Sequence, residues 1–210
     1  MPGCGCEATA DELIAVRNGE RRRTLWIVLA INVVMFHAEL LAGVLAQSQA
    51  LIADSADNLG DALVYAMSLF VVGRGIRWRA GAAFAKGLVQ FAFAVAVIAS
   101  IFLSLLGDPR PVGPVMMAVA ACALVGNLAC FGLLMKHRRD DVNMNSVWLC
   151  SRNDVIGNVG VIAGGALVML LESRWPDVAV ASLVAAVFLH TSYVVLRDAT
   201  RAWHQEPARA

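Results

Sequence analysis

Charge is scarce in this sequence: only 16% of its 210 residues are Asp, Glu, Lys or Arg, while 59% are hydrophobic. A soluble domain of this length cannot hide so much apolar surface, and a mean hydropathy of +0.67 excludes that class. Chain outside the apolar stretches is scarce too. With an arm of about two dozen residues, short loops and a tail of about a dozen, one membrane domain and no separate soluble domain are expected. No cleaved signal peptide is evident, because the first apolar stretch begins too late, runs too long and lacks a small-residue cleavage site. Nor do the five cysteines form a disulfide framework: Cys4 and Cys6 sit in the arm, and Cys122, Cys130 and Cys150 are scattered among apolar stretches.

What remains is six apolar runs, at about 25–46, 50–73, 82–106, 112–135, 147–171 and 177–196. Each has the roughly 20 residues needed to cross ~30 Å of hydrocarbon, and each is apolar around most of its circumference. The expectation is an all-α, polytopic membrane protein of six transmembrane helices. It divides into a cytoplasmic N-terminal arm (1–23), a membrane domain (24–198) and a short cytoplasmic tail (199–210). Basic residues orient it. The arm carries Arg17, Arg21, Arg22 and Arg23; the second loop Arg74, Arg77 and Arg79; the fourth Lys136, Arg138 and Arg139; the tail Arg197, Arg201 and Arg209. The other three loops hold only Arg110 and Arg174 between them. Six spans put every basic segment on one side, so both termini are expected in the cytoplasm of a bacterial-type inner membrane.

Against this background the acidic residues inside the spans stand out. Each charged side chain at bilayer centre costs roughly 2.5–3.5 kcal/mol on insertion scales. Span two reads Ala53-Asp54-Ser55-Ala56-Asp57-Asn58-Leu59-Gly60-Asp61. Helical offsets of three, four and seven place Asp54, Asp57, Asn58 and Asp61 on one stripe. Left charged and unpaired, the three carboxylates would cost on the order of 8–10 kcal/mol. They must be protonated, paired with a cation or bound to metal, unless the stripe lines a solvated vestibule or bonds between helices. Asp54, closest to the loop, is a candidate entrance for metal or simply reaches water.

Span five supplies a complement: Cys150 and Asp154 lie four apart, with Asn153 beside them and Asn158 a turn further on. Two helices each offering a pair spaced by four can set four ligands around a tetrahedral ion such as Zn²⁺. One thiolate among carboxylates moves the preference towards borderline and soft ions, Zn²⁺ and Cd²⁺ among them. Arg152 falls two positions from both Cys150 and Asp154 and so points elsewhere. It is expected to form a structural ion pair with Glu39 of span one, or else to snorkel to the surface. His37 and His190 read as hydrogen-bonded core histidines, and Asn32, Gln90 and Asn127 as bonds across helices. Gly43, Gly157, Gly160, Gly164 and Gly165 permit close helix approach. Cys4 and Cys6, one residue apart on a flexible arm, are candidates for metal capture, whereas His137 with Asp140 and Asp141 reads as a solvated charged turn.

The stretches Leu51–Ala62 and Ser146–Val161 resemble the second-helix and fifth-helix motifs of the cation diffusion facilitator family, and the resemblance extends over about residues 24–198. It implies that Asp57, Asp61, Cys150 and Asp154 are the metal ligands. It further implies homodimeric antiporters exporting Zn²⁺, Cd²⁺, Co²⁺ or similar ions in exchange for protons. Cys150 stands where a histidine is usual. The family's cytoplasmic C-terminal domain is not expected here, so a homodimer would form through the transmembrane helices.

The expected function is therefore divalent-metal efflux by alternating access, with metal displacing protons from its ligands. Metal is the transported substrate and not a cofactor; the other partners are protons and membrane lipid, and no nucleic acid. Two rivals stand beside this: a metal-binding membrane adaptor that carries nothing, and a Mg²⁺-dependent membrane enzyme, which a cysteine ligand suits badly. No enzyme activity is expected.

Overall fold

The computed structural model describes residues 6–71, 76–137 and 142–204. They form six helices: α1 Cys6–Leu45, α2 Gln49–Val71, α3 Ile76–Leu106, α4 Gly113–Met135, α5 Val142–Leu171 and α6 Trp175–His204. No strand occurs among the described residues. Each expected span falls on one of these helices with one or both ends displaced by a residue or more (72–73 lie outside the described residues), and several helices overrun their spans. α1 begins at Cys6, so the arm expected to be flexible is helical and continuous with the first span. Its Glu7-Ala8-Thr9-Ala10-Asp11-Glu12-Leu13 stretch is made largely of good helix formers.

Five helices are long and apolar enough to cross a membrane: parts of α1, α3, α4, α5 and α6. α2 fails that description because of Asp54, Asp57 and Asp61, and the packing explains how it is tolerated. α2 lies against α1, α3, α5 and α6 and contributes to three separate apolar clusters. Ala53 and Ala56 face Ala94, Val97, Ala181, Ala185 and Phe188 of α3 and α6. Val64 and Tyr65 meet Leu25, Val28, Cys130 and Leu134 of α1 and α4. Ala50 and Leu51 join Met116, Ala120 and Val161 of α4 and α5. The aspartates thus sit on the helix best screened from lipid, while Val34, Leu41, Phe102, Leu103, Leu170 and Leu183 form an exposed apolar exterior.

Small residues set the closest crossings, as expected in a membrane, where dispersion and close backbone approach replace the hydrophobic drive. A Cβ on Gly43 would lie 3.0 Å from the Ile52 backbone nitrogen, which fixes the α1–α2 approach. One on Gly113 would lie 2.6 Å from the Gly165 carbonyl oxygen, so α4 and α5 touch backbone to backbone there. Gly160, by contrast, has nothing within 4 Å of its virtual Cβ and does not mark a crossing.

One end of the bundle is stitched together by polar contacts between its turns. The Val112 N–H donates to the Ala46 carbonyl at 3.1 Å, the Arg110 N–H to Gln47 Oε1 at 3.2 Å, and the Arg174 guanidinium to the Gly107 carbonyl at 2.8 Å. The α1–α2, α3–α4 and α5–α6 turns, the three with few basic residues, therefore share this end. α2 starts here under a cap from another helix. Asp177, in the first turn of α6, accepts hydrogen bonds from Ser48 Oγ (2.6 Å), the Gln49 N–H (2.8 Å) and the Ala50 N–H (3.0 Å). Ser48 Oγ in turn accepts from the Leu51 N–H. An acidic group over exposed N–H groups satisfies both the orphan donors and the helix dipole. Asp177→Ala leaves those donors buried without a partner. The expected loss is on the order of 2–3 kcal/mol, read as a lower unfolding midpoint of the purified protein in detergent.

Candidate metal centre

α2 and α5 meet inside the bundle, and the carboxylates expected to bind metal meet with them. One oxygen each from Asp57, Asp61 and Asp154 lies within 4.8 Å of the others. Asp61 and Asp154 are each 5% exposed and Asp57 is half-buried. The four-residue step from Asp57 to Asp61 aims both at α5, where Asp154 answers from the facing side. Three carboxylates this close cannot all remain ionised without a cation among them. Among the described residues every Lys and Arg is at least partly exposed, so none is buried with the cluster.

The cluster is held in orientation by its neighbours. The Tyr65 hydroxyl, fully buried one turn beyond Asp61, donates to Asp61 Oδ2 at 2.7 Å. On α5 the Asn158 amide donates to the Asp154 carbonyl at 2.8 Å. Asp154 Oδ2 is buried and has no hydrogen-bond partner among the described residues, so that oxygen is left as an unsatisfied acceptor. Tyr65 went unread in the sequence; the signal available was its i+4 spacing from Asp61. A partner such as Tyr65 fixes a ligand oxygen, and losing one typically costs 10–100-fold in metal affinity. Tyr65→Phe is expected to weaken Zn²⁺ binding about tenfold, measured by titration of the purified protein.

The remaining candidates divide. Cys150 lies in α5 one turn before Asp154, which by helical register shares the Asp154 face; its side chain lies outside the described residues. Cys4 is likewise outside them, and of Cys6 only the backbone, at the start of α1, is described. Asp54 is not at a wet entrance: it is 3% exposed and lies towards the end that carries the α1–α2 turn. The expected Glu39–Arg152 pair does not form. Arg152 is exposed, and its guanidinium contacts the neighbouring Asn153 Oδ1 at 3.5 Å. Glu39, 1% exposed, instead accepts from the Asn58 amide at 2.6 Å. The reason is adjacency, since α1 packs against α2 and α4 whereas α5 packs against α2, α4 and α6. His37 and His190 are exposed on the bundle exterior, and His37 bonds back to the Val33 carbonyl. Asn32 does reach across helices, with its amide 3.8 Å from Cys130 Sγ.

Comparison with known proteins matches residues 25–202 to the cation efflux transmembrane domain. The chain belongs to the cation efflux family. Among its curated relatives is the metal cation efflux system protein CzcD of Cupriavidus metallidurans, 28% identical over 192 residues, which are 86% of this chain and 61% of that protein. Another is the zinc transporter ZitB of Escherichia coli, 28% identical over 190 residues, 84% of this chain and 60% of that one. The chain thus spans about three fifths of the length of the relatives it matches. Family membership and the apolar helices make it a multi-pass protein of the bacterial inner membrane.

Proposed function

We propose that this chain exports a divalent metal ion of the Zn²⁺, Cd²⁺ and Co²⁺ class, in exchange for protons, through a site between α2 and α5. The observation that carries this is the convergence of Asp57, Asp61 and Asp154 from two helices inside an apolar bundle with no buried base among the described residues. The family match and the relatives' names, a cation efflux protein and a zinc transporter, support the direction and the class of ion. Metal is then the transported substrate. Cys150 completes the ligand set as a thiolate from the turn before Asp154.

Exchange follows from ligand chemistry. An ion arriving from the cytoplasm binds only deprotonated ligands and so displaces their protons. Once the site opens to the other side, protons return to the carboxylates and the ion leaves. The basic segments at the end bearing both termini orient the bundle with that end in the cytoplasm. A second copy packs through the membrane helices in this reading.

Proteoliposomes loaded at low internal pH and given external Zn²⁺ or Cd²⁺ test it directly. Uptake that depends on the pH gradient, with protons moving out as metal moves in, is the expected result. Metal binding in detergent without any gradient-dependent uptake would instead make the chain a binder that carries nothing.

A further inference from the structure

A second group of buried oxygens lies outside the three-carboxylate cluster. Glu39 of α1 and Asp54 and Asn58 of α2 are 1%, 3% and 2% exposed. The two carboxyl groups lie within hydrogen-bonding reach of one another. The Asn58 amide donates to Glu39 Oε2 at 2.6 Å, which aims this side chain at the pair. Among the described residues Glu39 Oε1, Asp54 Oδ2 and Asn58 Oδ1 have no hydrogen-bond partner. All three orphans are acceptors. A cation satisfies acceptors, whereas a further carboxylate or carbonyl does not.

Among the described residues no Lys, Arg or His is buried, and the other buried carboxylates are Asp61, Asp154 and Asp177. Gly157 of α5 lies beside Asp54: a Cβ there would come into ordinary contact with Asp54 Oδ1, at 3.7 Å. Burying two carboxylates and an amide oxygen without a counter-ion is costly, and a divalent ion would neutralise the pair. Asp54 precedes the middle of the Asp57–Asp61 pair by five residues, roughly 7 Å along the helix axis. It does so towards the end where the α1–α2, α3–α4 and α5–α6 turns meet.

We infer that Glu39, Asp54 and Asn58 form a second divalent-cation site, made of oxygen donors alone and placed one step from the first site towards the end opposite the termini. Oxygen donors hold Zn²⁺ less tightly than a set containing thiolate and favour it over the softer Cd²⁺. A weaker site placed there suits an ion that is leaving. That role as a release step rests on the transport reading; occupancy of the site does not.

The test is the number of Zn²⁺ ions bound per full-length chain, by equilibrium dialysis in detergent, on variants that elute as the wild type does. Glu39→Gln with Asp54→Asn keeps size and hydrogen bonding but removes both charges. It is expected to lose one bound Zn²⁺ relative to wild type. In an Asp61→Asn, Asp154→Asn background, which removes the first site, adding those two changes must again lose one ion. The single change Asp54→Asn should weaken the second binding step at least tenfold, and serves if a double variant fails to fold. Unchanged stoichiometry and affinity in these variants, as expected if the pair merely shares a proton, would overturn the inference. Wild-type protein that binds both ions yet shows no gradient-dependent flux would count against transport and leave the second site standing.

Discussion

Asp61→Asn combined with Asp154→Asn is expected to lower metal flux at least a hundredfold in proteoliposomes while leaving the protein folded and inserted. A hundredfold fall corresponds to about 2.7 kcal/mol. That is modest for removing two of three clustered carboxylates whose combined charge answers a divalent ion. Asparagine keeps the shape and a hydrogen-bonding oxygen, so the Tyr65 hydroxyl retains an acceptor at position 61. Removing charge from the cluster also relieves repulsion between buried acids, so stability should hold or rise. The contrast between lost flux and retained stability is what separates a ligand role from a structural one. Asp177→Ala supplies the opposite pattern, because that carboxylate holds the start of α2 and lies away from the ion. Full flux in the Asp61, Asp154 double variant would remove α2 and α5 from the ion's path.

The second large effect is on selectivity. Cys150→His exchanges a soft thiolate for a borderline imidazole one turn from Asp154. The Cd²⁺/Zn²⁺ preference is expected to shift towards Zn²⁺ by about tenfold or more, read as the ratio of initial uptake rates for the two ions in parallel. The pH response should shift as well, since a thiol and an imidazole release their protons in different ranges. An unchanged ratio would mean that residue 150 does not touch the ion, and that the carboxylates alone set the choice.

Much of this was legible in the sequence, for physical reasons that also mark where legibility ended. Apolar runs marked all six helices because a span must be apolar over a fixed length, although α2 with its three aspartates falls short of the apolarity that the other five reach. They missed the reach of α1 back to Cys6, which depends on helix formers and not on apolarity. The stripe from Asp54 to Asp61 was visible because helical register is local. Asp57 and Asp61 did turn to Asp154. The partner of Glu39 was not visible, because charge complementarity suggested Arg152 and only packing reveals that α1 packs chiefly against α2 and α4 and not against α5. An amide, Asn58, takes that place. The same stripe therefore serves two groups: Asp57 and Asp61 face α5, while Asp54 and Asn58 sit with Glu39 of α1. The cap that Asp177 provides spans 129 residues from Ser48, and no local pattern announces it.

The most direct test of the metal centre is X-ray absorption at the zinc edge of purified protein carrying one Zn²⁺ per chain. The expected first shell is mainly oxygen at about 2.0–2.2 Å with one sulfur near ~2.3 Å. That shell should be lost when Asp61→Asn and Asp154→Asn are combined. A sulfur-only or imidazole shell that survives the double variant would contradict the assignment of Asp57, Asp61 and Asp154 as the residues that hold the ion.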